Sequence, residues 1–237
     1  EMNQILKICK KHKLHLIEDS AETLGASFRG RYTGSFGIGC FSFFPTKNIT
    51  TTEGGMLTLS NKKMYNKAKK LIAHGITKSK KDAWKRIALL PGHNYRLPNH
   101  LAALGNSQLK KLQKFNKKRV YLANKYTKKF SKFSNLILVP KVPKNFTHVF
   151  QMYTIRILKG FRNNFIYYLN NKGIAASVHF DPPLHQQKIY SKYHKGNLKN
   201  TNILSKQIAT LPIYPDMKKK EIEYIIKTVS KWYKKNK

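Results

Sequence analysis

Lys47 stands out from the other lysines of this chain because of the residues around it. It follows an aromatic run at residues 41–44 and precedes a glycine turn at residues 53–55, an arrangement typical of a strand that ends in a turn. A lysine amine that is buried or lies beside other cationic groups has a lowered pKa and can act as a nucleophile toward an aldehyde. We therefore predict that Lys47 is a catalytic residue that forms a Schiff base.

Carboxylates lie just upstream of this lysine. The chain has only ten acidic residues, and three of them, Glu18, Asp19 and Glu22, fall within five positions. The apolar run before them predicts a strand, so Asp19 is expected at the end of a strand. An isolated acid at such a position more often caps a helix or a turn, and its chemistry therefore depends on its neighbours.

Alternating strands and helices are predicted around these residues. A helix is expected at 2–13, a buried strand at 14–19 and a helix at 61–74, with short strands at 39–44 and 56–59. Such alternation indicates an α/β layer structure. Because a parallel sheet normally has more strands than the three predicted before residue 60, we expect the N-terminal part of this domain to be missing.

The second half of the chain predicts a smaller α+β unit. A long helix at 99–133 is expected to link the two parts. The predicted domains are a large one over 1–115 and a small one over 116–237. In the small domain we expect strands at 136–139, 149–157 and 174–180, and helices at 162–171 and 219–233.

Composition limits the class of protein. The 237 residues are 41% hydrophobic and 12% aromatic, which is too much for a disordered chain. No apolar run approaches the roughly 20 residues that cross a bilayer, so we predict a cytoplasmic protein without a membrane partner. The two cysteines provide no disulfide framework, and no spacing of cysteine and histidine predicts a metal site.

The formal charge of +37 leaves a second interpretation open. Such a surface attracts phosphate backbones and predicts salt-dependent binding to nucleic acid. The lysines, however, are spread almost evenly along the chain, and no recognised nucleic-acid motif is present. A nucleic-acid partner is therefore the less favoured alternative.

Short motifs lie along most of the chain, at 17–26, 34–37, 41–47, 74–76, 82–86, 94–96, 102–109, 177–185 and 211–215. In these motifs the chain resembles the DegT/DnrJ/EryC1/StrS family of sugar-nucleotide aminotransferases. The resemblance covers residues 17–60, 74–112, 148–190 and 211–227, and a glutamate at the position of Glu22 resembles the perosamine-synthase-like members. The resemblance implies a pyridoxal 5'-phosphate (PLP) dependent transferase of fold type I, with a large α/β domain and a small C-terminal α+β domain.

The resemblance also implies a role for each candidate residue. Lys47 binds the cofactor aldehyde and then transfers protons, while Asp19 keeps the pyridine nitrogen of the cofactor protonated. Ser42 contacts the cofactor phosphate, and Glu22 lies near the phenolic oxygen. Asn94 reaches the cofactor phosphate of a neighbouring subunit, which implies a homodimer with shared active sites.

The substrate is implied in the same way. His179 is the candidate substrate contact, and the acceptor is a nucleotide-linked keto-deoxysugar that receives nitrogen from glutamate during polysaccharide or glycan synthesis. Related dehydratases carry histidine in place of the lysine, so Lys47 favours the aminotransferase. Because the predicted large domain is incomplete, an inactive fragment of such an enzyme is a further alternative.

Overall fold

The computed structural model describes residues 1–78, 81–82, 84–194 and 196–237. The chain divides into two compact units. The first comprises Glu1–Lys114 and Lys144–Val149, and the second comprises Phe115–Pro143 and Phe150–Lys237. Within the described ranges, no helix combines the length and hydrophobicity needed to span a bilayer.

Short strands and longer helices follow one another along the chain. The chain begins with α1 (Met2–Lys11), β1 (Ile17–Asp19), β2 (Ser27–Phe28), β3 (Arg31–Tyr32), β4 (Ile38–Ser42), β5 (Gly55–Thr58), α2 (Lys62–Leu71), β6 (Ile76–Lys78), β7 (Arg86–Ala88) and α3 (Asn99–Leu109). It continues with α4 (Leu112–Phe130), β8 (Ile137–Leu138), β9 (Phe146–Thr147), β10 (Tyr153–Ile157), α5 (Arg162–Asn170), α6 (Lys199–Ser205), β11 (Ile208–Leu211) and α7 (Lys219–Asn236).

One sheet of the first unit has the order β1-β4-β5. Strand β1 runs parallel to β4, with Asp19 opposite Cys40, and β5 runs antiparallel to β4. The expected strand at 14–19 is shorter than predicted, and it is not buried, since Ile17 is 65% exposed. The physical reason is that β1 is an edge strand, which pairs with one neighbour among the described residues.

A second small sheet explains why the first unit includes 144–149. Strand β9 pairs antiparallel with β2, and the Phe28 and Phe146 rings lie 4.7 Å apart. The backbone N–H of Ser27 also donates to the Thr147 hydroxyl at 2.8 Å. The predicted domain boundary at residue 115 assigns 144–149 to the small domain, because a two-residue strand carries no periodic signal from which its pairing could be predicted.

The second unit is a sheet of order β11-β10-β8 covered by helices. Alternate residues of β10 are buried, as expected for a strand with one face on a core. They pack in one hydrophobic cluster with residues of α4, α5 and α7. Its largest fully buried members are Trp232, Tyr126, Tyr153, Phe130 and Phe165.

Two predicted elements of this half differ from the structure. The helix expected at 99–133 is divided into α3 and α4 by a turn at Lys110 and Lys111. The strand expected at 174–180 is a single bridge between Ser177 and Thr210. The Ile174 N–H donates to the Leu169 carbonyl of α5 at 3.0 Å. The Ala176 N–H donates to the Ile174 carbonyl at 2.7 Å and to Asn170 Oδ1 at 3.0 Å. These two N–H groups are therefore not available to a strand ladder.

Candidate functional site

The loop that carries Lys47 connects β4 to β5 and is closed at its base. The Phe43 N–H donates to the Gly54 carbonyl at 2.9 Å, and the Phe43 carbonyl accepts from the Thr51 N–H at 3.0 Å. The Thr50 hydroxyl donates to the same carbonyl at 2.8 Å. Gln108 of α3 reaches this loop as well, since its Oε1 accepts from the Thr50 N–H at 3.1 Å. These bonds fix where the lysine leaves the sheet.

The Lys47 side chain meets Glu22. Its Nζ donates to Glu22 Oε1 at 2.9 Å, and the two side chains are 15% and 39% exposed. Two of the residues predicted from the sequence are thus brought together across 25 positions of chain. An amine held this way is mostly shielded from bulk water, while its orientation is set by the carboxylate.

Asp19 and Ser42 lie at the same edge of the sheet. Because β1 and β4 are parallel and Asp19 is opposite Cys40, Ser42 follows two residues further along the neighbouring strand. Asp19 Oδ1 accepts from the Ala21 N–H at 3.2 Å, and Ser42 Oγ accepts from the Phe44 N–H at 3.3 Å. The carboxyl ends of parallel strands are the usual place for ligand-binding side chains.

Glu18 has a role that the sequence analysis missed. Its carboxylate accepts three backbone N–H bonds, from Gly34 at 2.8 Å, Phe36 at 2.7 Å and Gly37 at 2.8 Å. Glu18 therefore fixes the turn before β4 and, with it, the edge where Asp19 lies. The available signal was the acid next to Asp19 together with the glycines of the turn.

Thr52 has a backbone conformation that favours glycine. Its φ is +68°, so a β-branched residue occupies the left-handed region that favours glycine. The turn beside Lys47 thus has the backbone conformation of a glycine turn, with threonine at this position.

Asn94 and His179 are placed elsewhere. Asn94 forms an isolated backbone bridge with Ala73, and its side chain is exposed. Among the described residues, no hydrogen bond joins Asn94 to Lys47. His179 belongs to the second unit, where its ring lies edge-on to Phe180 with centroids 5.9 Å apart. Of the motif at 82–86, Ala83 lies outside the described residues.

Comparison with known proteins extends these observations. The chain is 36% identical to an uncharacterized protein from Methanocaldococcus jannaschii, over the whole of this chain and 64% of that protein. It is 32% identical to the GDP-perosamine synthase of Caulobacter vibrioides, over 95% of this chain and 61% of the synthase. The chain thus spans less than two thirds of the length of these relatives.

A solved structure agrees with the fold. The PseC aminotransferase of Helicobacter pylori, which is involved in pseudoaminic acid biosynthesis, superposes with a TM-score of 0.92 at 28% identity. The match covers 99% of this chain and 64% of PseC. It confirms the α/β transferase fold that was expected from the sequence.

The DegT/DnrJ/EryC1/StrS profile matches residues 1–230, which is nearly the whole chain. A putative sugar aminotransferase of the same fold, from Streptococcus pneumoniae, has been solved in its PLP form, with a TM-score of 0.86 at 24% identity over 99% of this chain and 65% of that one. The chain belongs to the DegT/DnrJ/EryC1/StrS aminotransferase family.

Proposed function

We propose that this protein is a PLP-dependent aminotransferase that moves an amino group from glutamate to the keto carbon of a nucleotide-linked deoxysugar. The observation that carries the proposal is the Lys47 amine, shielded and bonded to Glu22 at 2.9 Å, beside the sheet edge of Asp19 and Ser42. The 32% identity to a GDP-perosamine synthase supports the sugar class. The product would serve polysaccharide or glycan synthesis.

The residues at this edge fit the cofactor by their chemistry. PLP supplies an aldehyde and an electron-withdrawing ring that stabilises negative charge on the adjacent carbon. Lys47 offers the amine for the aldehyde, and the Asp19 carboxylate can hold a protonated ring nitrogen. The Ser42 hydroxyl can donate to a phosphate oxygen, and the Glu22 carboxylate accepts a hydrogen bond from the Lys47 amine.

In the proposed reaction Lys47 has two tasks. Its Nζ would hold the cofactor aldehyde when PLP is bound. Once freed by the amino donor, the amine would move a proton between the substrate carbon that bears the nitrogen and the cofactor. Glu22 Oε1 orients Nζ through the 2.9 Å bond. The closed base of the 43–54 loop fixes the backbone from which the Lys47 side chain extends.

The remaining candidate residues complete the proposal. Asn94 would reach the cofactor phosphate of a second copy of the chain, giving a homodimer with shared sites. Its exposed side chain is accessible for such a contact. His179, also exposed, would contact the sugar nucleotide.

Transfer of labelled nitrogen tests the function. We expect ¹⁵N from glutamate to appear in the sugar when the protein, PLP and a GDP- or UDP-linked 4-keto-6-deoxysugar are mixed. The Lys47→Ala variant should lose transfer by at least about 10³-fold, because the covalent step is gone. Lys85→Ala is the matched control, since Lys85 also pairs with a carboxylate, Asp82 at 2.7 Å, but is 60% exposed.

Two results would contradict the proposal. One is equal transfer by the Lys47→Ala variant and the unmodified protein. The other is loss of a sugar hydroxyl without gain of nitrogen, which would indicate a dehydratase.

A further inference from the structure

The loop after β-bridge residue Ser177 is tied to α5 by a buried arginine. Arg162, the first residue of α5, places Nη1 2.8 Å from Asp181 Oδ2, and the two side chains are 9% and 44% exposed. The Arg162 Nε is buried and has no hydrogen-bond partner within the part of the chain that the structure describes. A buried guanidinium is costly unless a charge compensates it, so Arg162 depends on Asp181.

The residue before Asp181 has an unfavourable backbone. Phe180 has φ of +57°, although it is bulky, and its side chain is 80% exposed. Residues in this region persist when their surroundings fix them, and they cluster at functional sites. The exposed ring does not provide that support. It comes from the next two residues, through the Arg162 pair and a 2.7 Å bond from Gln187 Nε2 to the Pro182 carbonyl.

We propose that Arg162 is a positioning residue for the sugar-nucleotide site and acts through Asp181 on His179 and Phe180. The inference rests on the proposed function in one respect, the role of His179 as the substrate contact. The pair holds the strained turn, and the turn directs an imidazole and a phenyl ring outward, edge-on to each other at 77°. An imidazole donor beside an apolar ring suits a ligand that has hydroxyl or phosphate groups next to a planar base.

The first experiment measures how firmly the 177–187 loop is held and requires no enzymatic turnover. Hydrogen exchange reports on this loop because the N–H groups of Ser177, Gln186 and Gln187 are bonded at its two ends. In Asp181→Asn we expect exchange in 177–187 to rise about tenfold, with little change in the rest of the chain. Asp181 is suited to substitution since it is half exposed, whereas loss of the buried Arg162 risks misfolding.

Asp216→Asn is the matched control. Asp216 lies in the same unit and pairs with Lys118 at 3.2 Å, but its side chain is 85% exposed. The same chemical change there should leave exchange in 177–187 unaltered. Unchanged exchange in Asp181→Asn, or an equal rise in both variants, would overturn the proposal.

The second experiment measures substrate use. We expect Asp181→Asn to raise KM for the sugar nucleotide about tenfold with kcat changed less than about threefold, because the turn supplies binding rather than chemistry. Asp181→Glu, which keeps the charge, should recover part of the loss. A fall in kcat at constant KM would contradict the positioning role. If no variant shows aminotransfer, the exchange result still decides the structural claim separately from the proposed function.

Discussion

Single residues orient the candidate lysine and close the loop that carries it. Glu22 orients the amine, and Thr50 and Thr51 close the loop base. Thr52 is strained, because its left-handed backbone conformation has a conformational energy cost that glycine would not have. At this scale the site combines close hydrogen bonding with one strained turn, a combination common near reacting groups.

Thr52→Gly should therefore stabilise the protein. Relief of the backbone strain, about 1–2 kcal/mol, exceeds the entropy that glycine adds to the unfolded chain, about 0.5–1 kcal/mol. We expect the free energy of unfolding in urea to rise by about 0.5–1 kcal/mol.

Ser60→Gly is the control for this substitution. Ser60 is also exposed in the first unit but is not among the residues with positive φ. Its replacement should lower the free energy of unfolding by about 0.5–1 kcal/mol. An equal loss in both variants would show that Thr52 is unstrained.

At the scale of elements, helix α4 is joined to distant chain by one arginine. Arg119 Nη1 donates to the carbonyls of Phe150, Gln151 and Ile213 at 3.2, 3.0 and 2.9 Å. These carbonyls lie at the start and end of the segment that contains strands β10 and β11 of the second unit. Arg119 thus connects a helix to both ends of that segment without a carboxylate partner in the described contacts.

Arg119→Met should be strongly destabilising. It removes the shared donor of three carbonyls in a buried setting, and we expect a loss of about 3–5 kcal/mol in the free energy of unfolding. Fluorescence of Trp232, buried in the same unit, can follow the transition. Arg156→Met, which loses the partly exposed bonds to Gln207, should cost only about 1 kcal/mol. Similar losses in the two variants would contradict this role of Arg119.

The sequence predicted elements well where a periodic pattern was long. The helices α2, α5 and α7 lie where apolar spacing indicated them, each with altered ends. Strands β2, β3 and β9 have two residues each, and such strands carry no pattern. The segment 174–180 contains residue types that favour strands. However, the N–H groups of Ile174 and Ala176 donate to local acceptors and cannot join a strand ladder.

The candidate site shows the same limit. Residue types and spacing indicate Lys47 and Asp19 as candidate site residues, whereas the pairing of Lys47 with Glu22 is seen only in the folded structure. The three bonds of Glu18 depend on a turn sixteen to nineteen residues away, and their signal in the sequence is limited to the acid next to Asp19 and the glycines of that turn. Pattern identifies chemically capable residues, whereas long-range contacts decide which of them meet.

At the scale of the whole molecule, the dominant property is a formal charge of +37. Lysines lie on exposed surfaces of both units, and few acids are available to pair with them. We interpret this charge as a general surface property and not as a binding site. Screening then acts on the whole surface, with a Debye length of about 8 Å at physiological salt.

Binding to nucleic acid should consequently be weak and non-specific. We expect duplex DNA to be retarded by the protein at about 0.05 M salt and to be released by about 0.2 M, with no preference for sequence. An electrophoretic mobility assay over this range measures both properties. A nanomolar, sequence-dependent complex that survives at the higher salt would favour the nucleic-acid alternative.

Chemical trapping tests whether Lys47 is the residue that binds the cofactor. The purified full chain is incubated with PLP, reduced with borohydride and mapped by mass spectrometry of its peptides. We expect a pyridoxyl group on the peptide that contains Lys47 and its loss in Lys47→Ala. A pyridoxyl group on another lysine, or on none, would contradict it.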